Sequence, residues 1–175
     1  ALERYQHESS KIKAVVNMFG LYSTTGKHIL HVNGESTEQA TISSSASRGC
    51  FENGIYTQEV KTLRGDEYCA AKAIKSIDYL KIDTEGTELE VLMSFGEMLE
   101  DAGIGFIQFE YGNASFYTGA SIMRFIEVLG NNYILARILP EGLQVVAKYD
   151  SSLETFKWSN YLAVRRDYKD FLACQ

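Results

Sequence analysis

The sequence has little proline and no long apolar run, and each shortage excludes a class of protein. Its 175 residues include a single proline, Pro140, so no proline-rich linker divides the chain. No apolar run reaches the roughly 18 residues that a transmembrane helix needs. The length, with 45% hydrophobic residues, predicts one domain, 1–175, with a sizeable core.

Cysteine and positive charge are also scarce. Cys50, Cys69 and Cys174 are widely spaced and odd in number, so we predict neither a disulfide framework nor a cysteine metal site. This usage is typical of a reducing compartment, and we expect the cytoplasm. The net charge of −6 argues against a nucleic acid partner, which would need a basic face. The motifs GxGxxG and GxxxxGK[ST] are both absent, so these residues hold no phosphate-binding glycine loop.

Two nearly continuous apolar runs stand out in the middle of the chain. Residues 77–83 and 104–110 read as strands buried on both faces, which is typical of a parallel sheet. A helix over 85–99 would connect them by a right-handed crossover. The pattern predicts an α/β fold with a C-terminal antiparallel strand pair. Further elements are predicted as strands at 11–21, 27–32, 56–63, 133–139 and 160–165, helices at 66–76 and 121–129, a long loop at 33–54 and a hairpin near 142–150.

Both apolar strands end in a carboxylate, Asp83 in one and Glu110 in the other. Ligands of open α/β sheets bind at the carboxyl ends of the strands, so one interpretation is a shared site. The other is that Asp83 or Thr84 caps the following helix, within whose first turn Glu85 would lie. Two strands with the same ending favour the shared site, and both interpretations stay open for each residue.

Other candidate residues give weaker evidence for a functional site. His28 and His31 face opposite sides of a predicted strand, so no metal site is expected. Trp158 and the tyrosines are interpreted as core or interface residues.

Residues 76–92, SIDYLKIDTEGTELEVL, resemble the signature LKIDVEGAELEVL of the FkbM family of S-adenosylmethionine-dependent methyltransferases. Residues 15–26, VVNMFGLYSTTG, are similar to the third strand and turn of that family. Residues 58–63 resemble the strand before its TLD step, although Arg64 stands where the family usually has Asp. Residues 106–110 resemble the next strand, which commonly ends in Glu.

This resemblance implies a Rossmann-like methyltransferase sheet that uses S-adenosylmethionine. The acceptor would be a hydroxyl of a sugar, a lipid or a secondary metabolite, and a strand-end carboxylate would remove its proton. The implied site residues are Asp83 and Glu85 as catalytic, Glu110 and Tyr111 as substrate-binding, and Phe19, Gly20 and Leu21 as cofactor-binding.

Two motifs of the family are missing from these residues: the opening DVGANxG loop and the acidic EP at the second strand. The resemblance therefore implies the C-terminal portion of a class I methyltransferase-like domain, with a sheet that lacks its first two strands. The chain is then either part of a longer enzyme or a non-catalytic remnant or interaction module that does not bind S-adenosylmethionine. A third interpretation is an unrelated α/β binding domain. The open edge of strand 77–83 would invite a second copy or a partner chain.

Overall fold

The computed structural model describes residues 13–34, 39–52 and 54–173. The strands are β1 Gly20–Leu21, β2 Gly26–Asn33, β3 Ala40–Thr41, β4 Ile55–Leu63, β5 Ile77–Ile82, β6 Ile104–Tyr111, β7 Tyr133–Leu139, β8 Gly142–Val145 and β9 Ser159–Arg165. The α-helices are α1 Ser44–Cys50, α2 Gly65–Ala71, α3 Glu88–Met93, α4 Gly96–Glu100, α5 Asn113–Thr118, α6 Ile122–Leu129 and α7 Asp170–Ala173. Short 3₁₀ helices cover Gly130–Asn132, Ser151–Leu153 and Arg166–Tyr168.

The strands form two sheets. The first has the order β1-β4-β2-β3, with β1 parallel to β4 and the other pairs antiparallel. The second has the order β5-β6-β9-β7-β8. The prediction of a mixed α/β fold is confirmed.

The predicted parallel pair forms the start of the second sheet. β5 and β6 run parallel in the register Ile77↔Ile104 to Ile82↔Phe109. β9 then pairs antiparallel with both β6 and β7, and β8 closes a hairpin on β7. The antiparallel C-terminal strands and the hairpin are therefore confirmed.

The crossover between β5 and β6 contains two short helices where the sequence predicted one. α3 ends at Met93 and α4 begins at Gly96. Ser94 causes the break, because its Oγ donates to the carbonyl of Val91 at 2.6 Å and accepts from the amide of Gly65 at 2.9 Å. Such local bonds compete with helix continuation.

The core of the second sheet lies under α6. Phe125 of this helix stacks on Phe109 of β6 at a centroid distance of 4.0 Å, and both are fully buried. The helix begins where the sequence predicts, because the Oγ of Ser121 accepts from the amide of Arg124 at 3.2 Å.

Two predictions about local structure are wrong, and one helix was missed. Of the predicted strand 11–21, only Gly20–Leu21 is a strand within the described residues, and residues 11 and 12 lie outside them. Val15, Val16 and Met18 are exposed by 66%, 53% and 92%. The predicted loop 33–54 contains β3 and α1, although residues 35–38 and 53 lie outside the described part. The helix α5 was not predicted.

β5 is the terminal strand of the second sheet. Among the described residues β5 pairs with β6 alone, and Tyr79 on this strand is 52% exposed. Within the same residues, no helix has both the length and the apolar content to cross a membrane.

Candidate functional site

Asp83 lies in a turn between β5 and α3, outside the helix. The helix begins at Glu88 with Thr87 in the N-cap position, so neither Asp83 nor Thr84 caps it. The capping interpretation is therefore wrong, and so is the placement of Glu85 in the first helical turn. The turn over 83–87 instead holds Asp83 at the carboxyl end of β5.

A buried carboxylate, Glu88, holds this turn in place. It is 3% exposed, and its Oε1 accepts from the amide and hydroxyl of Thr84 at 2.8 and 3.1 Å. The amide of Gly86 donates to Oε2 at 3.0 Å and to Oε1 at 3.2 Å. Burial raises the pKa of Glu88, while the bonds from Thr84 and Gly86 oppose that rise.

The backbone of the turn is strained at one residue. Glu85 has φ of +54°, in the left-handed region that residues with a Cβ rarely adopt. Gly86 follows with φ of +103°, and a Cβ there would stand 2.9 Å from the Cβ of Ala114 on α5. Glycine is therefore required at 86, both by the backbone and by the neighbouring helix.

The turn brings three carboxylates together. One side-chain oxygen from each of Asp83, Glu85 and Glu110 lies within 4.8 Å of the others. The two strand ends thus meet, as the parallel pairing of β5 and β6 predicts. This spacing would admit a cation, but exposed acidic groups are often this close without one. We keep the expectation of no metal.

Crowding and burial change the acidity of the cluster. Burial raises the pKa of Glu110 to about 7, with further contributions from Asp83 and Glu85. Burial also raises the pKa of Glu85, and the charges of Glu88 and Asp83 add to it. Asp83 is 47% exposed and forms an ion pair with Lys81. With this pKa, Glu110 can exchange a proton near neutral pH.

A small cavity connects the first sheet to the turn. Its volume is about 240 Å³, and it joins Gly20 and Leu21 of β1 to Asp83 and Thr84. Leu30 of β2, Val60 of β4 and Ile42 supply apolar walls. The predicted cofactor residues Gly20 and Leu21 thus lie beside the predicted catalytic turn. Phe19 points elsewhere, with its ring 5.5 Å from that of Tyr68.

The comparisons with known proteins agree with the signature. The family model described as the methyltransferase FkbM domain matches residues 4–133, which include β5, the turn and β6. The chain belongs to the FkbM methyltransferase domain family. No curated protein and no solved structure matches the chain.

The FkbM match ends at Tyr133, so two residues near the site lie outside it. Glu154 accepts a hydrogen bond from the hydroxyl of Tyr111 at 2.5 Å. The same carboxylate accepts from the amides of Ile122 and Met123 at 3.1 and 3.2 Å. Tyr111 is fully buried, so it faces Glu154 and the core, while its predicted contact with substrate stays a prediction.

Trp158 is the second residue beyond the FkbM match. It is 68% exposed, so of the two interpretations, core or interface residue, the core is excluded and the interface stays a prediction. It lines one small crevice together with Glu85, Gly86 and Glu110. Spacing in the sequence gives no signal for this, because Trp158 reaches the site through the pairing of Ser159 with Tyr111 across β9 and β6.

The position where the FkbM family usually has Asp is structural in this chain. Arg64 binds Asp66 through two hydrogen bonds of 3.0 and 2.5 Å and donates to the carbonyl of Ser23 at 2.9 Å. It thereby ties the start of α2 to the turn after β1.

Proposed function

We propose that this protein is an S-adenosylmethionine-dependent methyltransferase that methylates a hydroxyl of a small acceptor, such as a sugar, a lipid or a secondary metabolite. The family match supports methyl transfer as the reaction class. The observation that carries the proposal is Glu110, which lies at a strand end with a pKa raised to about 7 beside Asp83 and Glu85. A general base is most effective when its pKa lies near the working pH.

The strand order supports a methyltransferase sheet in this proposal. The order β5-β6-β9-β7 contains one parallel pair followed by antiparallel strands, and β5 has a free edge among the described residues. We place the first two strands of the family's sheet along that edge, between β5 and β1. A partner chain or a second copy would be an alternative neighbour for β5.

The cavity beside β1 fits part of the cofactor. Its apolar walls at Leu30, Ile42 and Val60 suit an adenine ring, and its volume of about 240 Å³ is below the roughly 300 Å³ at which pockets for whole small molecules begin. Gly20 and Leu21 would contact the adenine, with Phe19 supporting them through Tyr68. S-adenosylmethionine, when bound, supplies the methyl group.

The protein's own residues prepare the acceptor. Glu110 accepts the proton of the acceptor hydroxyl, so that a more nucleophilic oxygen is available for transfer. Asp83 and Glu85 raise the proton affinity of Glu110 and accept hydrogen bonds that orient the acceptor. Trp158 forms an apolar wall beside them. Tyr111 supports this edge through Glu154 and α6.

Mass spectrometry after isotope labelling tests the proposal. The protein from its complete reading frame is incubated with S-adenosylmethionine labelled in the methyl group and with a small-molecule extract of the source cells. We expect a labelled product whose rate of formation rises as the pH passes through about 7, because Glu110 must be ionised to act. A matched reaction with Glu110→Gln should give no product. The absence of a labelled product with the unmodified protein would contradict the proposal.

The alternative is a non-catalytic module of the same fold, and the missing glycine loop favours it for residues 1–175 taken alone. We predict that these residues alone do not bind S-adenosylmethionine. Calorimetric titration measures this directly, and micromolar binding would show that the cofactor site has been misplaced. The cytoplasmic location likewise stays a prediction.

A further inference from the structure

Glu88 has no part in the proton transfer proposed above, but its side chain binds the turn that carries the carboxylates of that site. It is nine-tenths or more buried, and its carboxyl oxygens accept hydrogen bonds from Thr84 and Gly86 of the turn. Breaking any of these bonds would leave a buried polar group without a partner. The bonds therefore fix a turn that would otherwise adopt another conformation.

The turn has two reasons to relax. The left-handed backbone at Glu85 is unfavourable for a residue with a Cβ. The three carboxylates within 4.8 Å also repel one another whenever two are ionised. The backbone strain and the repulsion that involves Glu85 are both relieved when Glu85 rotates out of the left-handed region and its side chain leaves Asp83 and Glu110.

We propose that Glu88 is a positioning residue that holds Thr84 and Gly86 so that the carboxylate of Glu85 stays beside Asp83 and Glu110. The effect of Glu88 comes from the hydrogen bonds that Thr84 and Gly86 donate to its carboxyl oxygens, and these bonds oppose the repulsion within the cluster. Ala114 limits the turn from the other side, because it leaves no room beyond the hydrogen atom of Gly86. The turn is thereby fixed between α3 and α5.

Two variants separate positioning from charge. Glu88→Gln replaces one acceptor oxygen by a donor, which faces the amide of Gly86. Glu88→Asp keeps the charge but is one methylene shorter, so it cannot reach Gly86 and Thr84 together. We expect residue 85 to leave the left-handed region in both variants. The proton affinity of Glu110 should then fall about tenfold, because Glu85 no longer faces it.

NMR on the full-length protein reads both quantities without any substrate. Backbone chemical shifts report the conformation of residue 85, and the side-chain carboxyl signal of Glu110 reports its titration. Glu90→Gln on the same helix is the matched control, because Glu90 is partly buried and, among the described residues, its Oε2 accepts no hydrogen bond. Thermal melts of each variant establish that it is folded at the temperature of the titration.

The result that overturns the proposal is a left-handed residue 85 with an unchanged Glu110 titration in both Glu88 variants. A fall in Glu110 proton affinity in Glu88→Gln alone would also overturn it, because that pattern indicates charge. This inference rests on the proposed function in one respect only, the role of the three carboxylates in methyl transfer. Failure of methyl transfer would appear in the unmodified protein, whereas failure of positioning appears in these spectra.

Discussion

The indole of Trp158 lies directly over Gly112, so closely that a Cβ at Gly112 would stand 2.4 Å from Cδ1 of the ring. Gly112 follows Glu110 by two residues, so this contact fixes the ring beside the carboxylate cluster. The backbone of Gly112 is extended, with φ of −168°, and any residue can adopt it. The requirement for glycine is therefore the space that the indole occupies.

Gly112→Ala should displace the indole without straining the backbone. Trp158 is the only tryptophan, so the fluorescence of the protein reports this ring alone. We expect a shift of the emission maximum and a loss of about 1–3 kcal/mol in the free energy of unfolding, the usual cost of overpacking. Gly96→Ala is the control, since nothing lies within 4 Å of its Cβ. Identical spectra for Gly112→Ala and the unmodified protein would contradict the contact.

Asp83→Asn should lower the rate of methyl transfer by about 10²-fold, because the acceptor loses a group that orients it beside Glu110. It should leave the affinity for S-adenosylmethionine within a few-fold. The melting temperature should hardly change, because Asp83 is half-exposed and its ion pair with Lys81 is a surface contact. A large fall in melting temperature would show that the residue is structural.

Glu110→Gln should change how stability depends on pH. The pKa of Glu110 is raised from 4.5 to about 7, so folding favours its protonated form. The stability that this form contributes is fully present below pH 4.5 and is lost as the pH rises through about 7. In the unmodified protein, this fall in the free energy of unfolding should be about 1 kcal/mol after allowance for solvent screening. In the variant, we expect the fall to be absent.

Urea denaturation at a series of pH values measures this effect. The control is Glu127→Gln, which alters an exposed carboxylate that pairs with Arg124 on the outer face of α6. If the stability of Glu110→Gln and of the unmodified protein fall in parallel between pH 4.5 and 7, the raised pKa of Glu110 is wrong.

One edge of β5 pairs with no strand among the described residues, and it should make residues 1–175 self-associate when they are purified alone. Tyr79 on this strand is 52% exposed, and an unpaired strand edge offers a template for another strand. Tyr79→Lys should reduce the association, because a charge at an edge opposes pairing. Met123→Lys, at an exposed position of α6, is the matched control. Light scattering that shows a stable monomer for the unmodified chain would mean that the edge is covered.

The central motif could be predicted from the sequence because all its information is local. The apolar run of β5, the acidic turn and the apolar run of β6 lie within 77–110, and the crossover rule then brings Asp83 and Glu110 to one edge. Glu88 has a recognisable signal as well, a carboxylate two residues after an acid–glycine pair, but its burial depends on how α3 packs.

Other parts of the fold required information that local patterns do not contain. Trp158 reaches Gly112 only because β9 pairs with β6, nearly fifty residues earlier in the chain. The apolar run at Val15 and Val16 predicted a strand, yet both side chains are exposed, because an apolar pattern describes the side chains and not what surrounds them. The break after Met93 arises from hydrogen bonds of Ser94 that helical periodicity does not reveal.

Because β9 runs antiparallel to β6, the site is built from two regions that differ in how much change in sequence and length they tolerate. The carboxylates come from the ends of β5 and β6, where a shift of one residue would disperse them. The indole comes from the connection that enters β9, and this connection can gain or lose residues while the strand ladder stays in register. Under the proposed function, a lineage with this fold would acquire new acceptors by altering residues 146–158, while Asp83, Glu85 and Glu110 remain as they are.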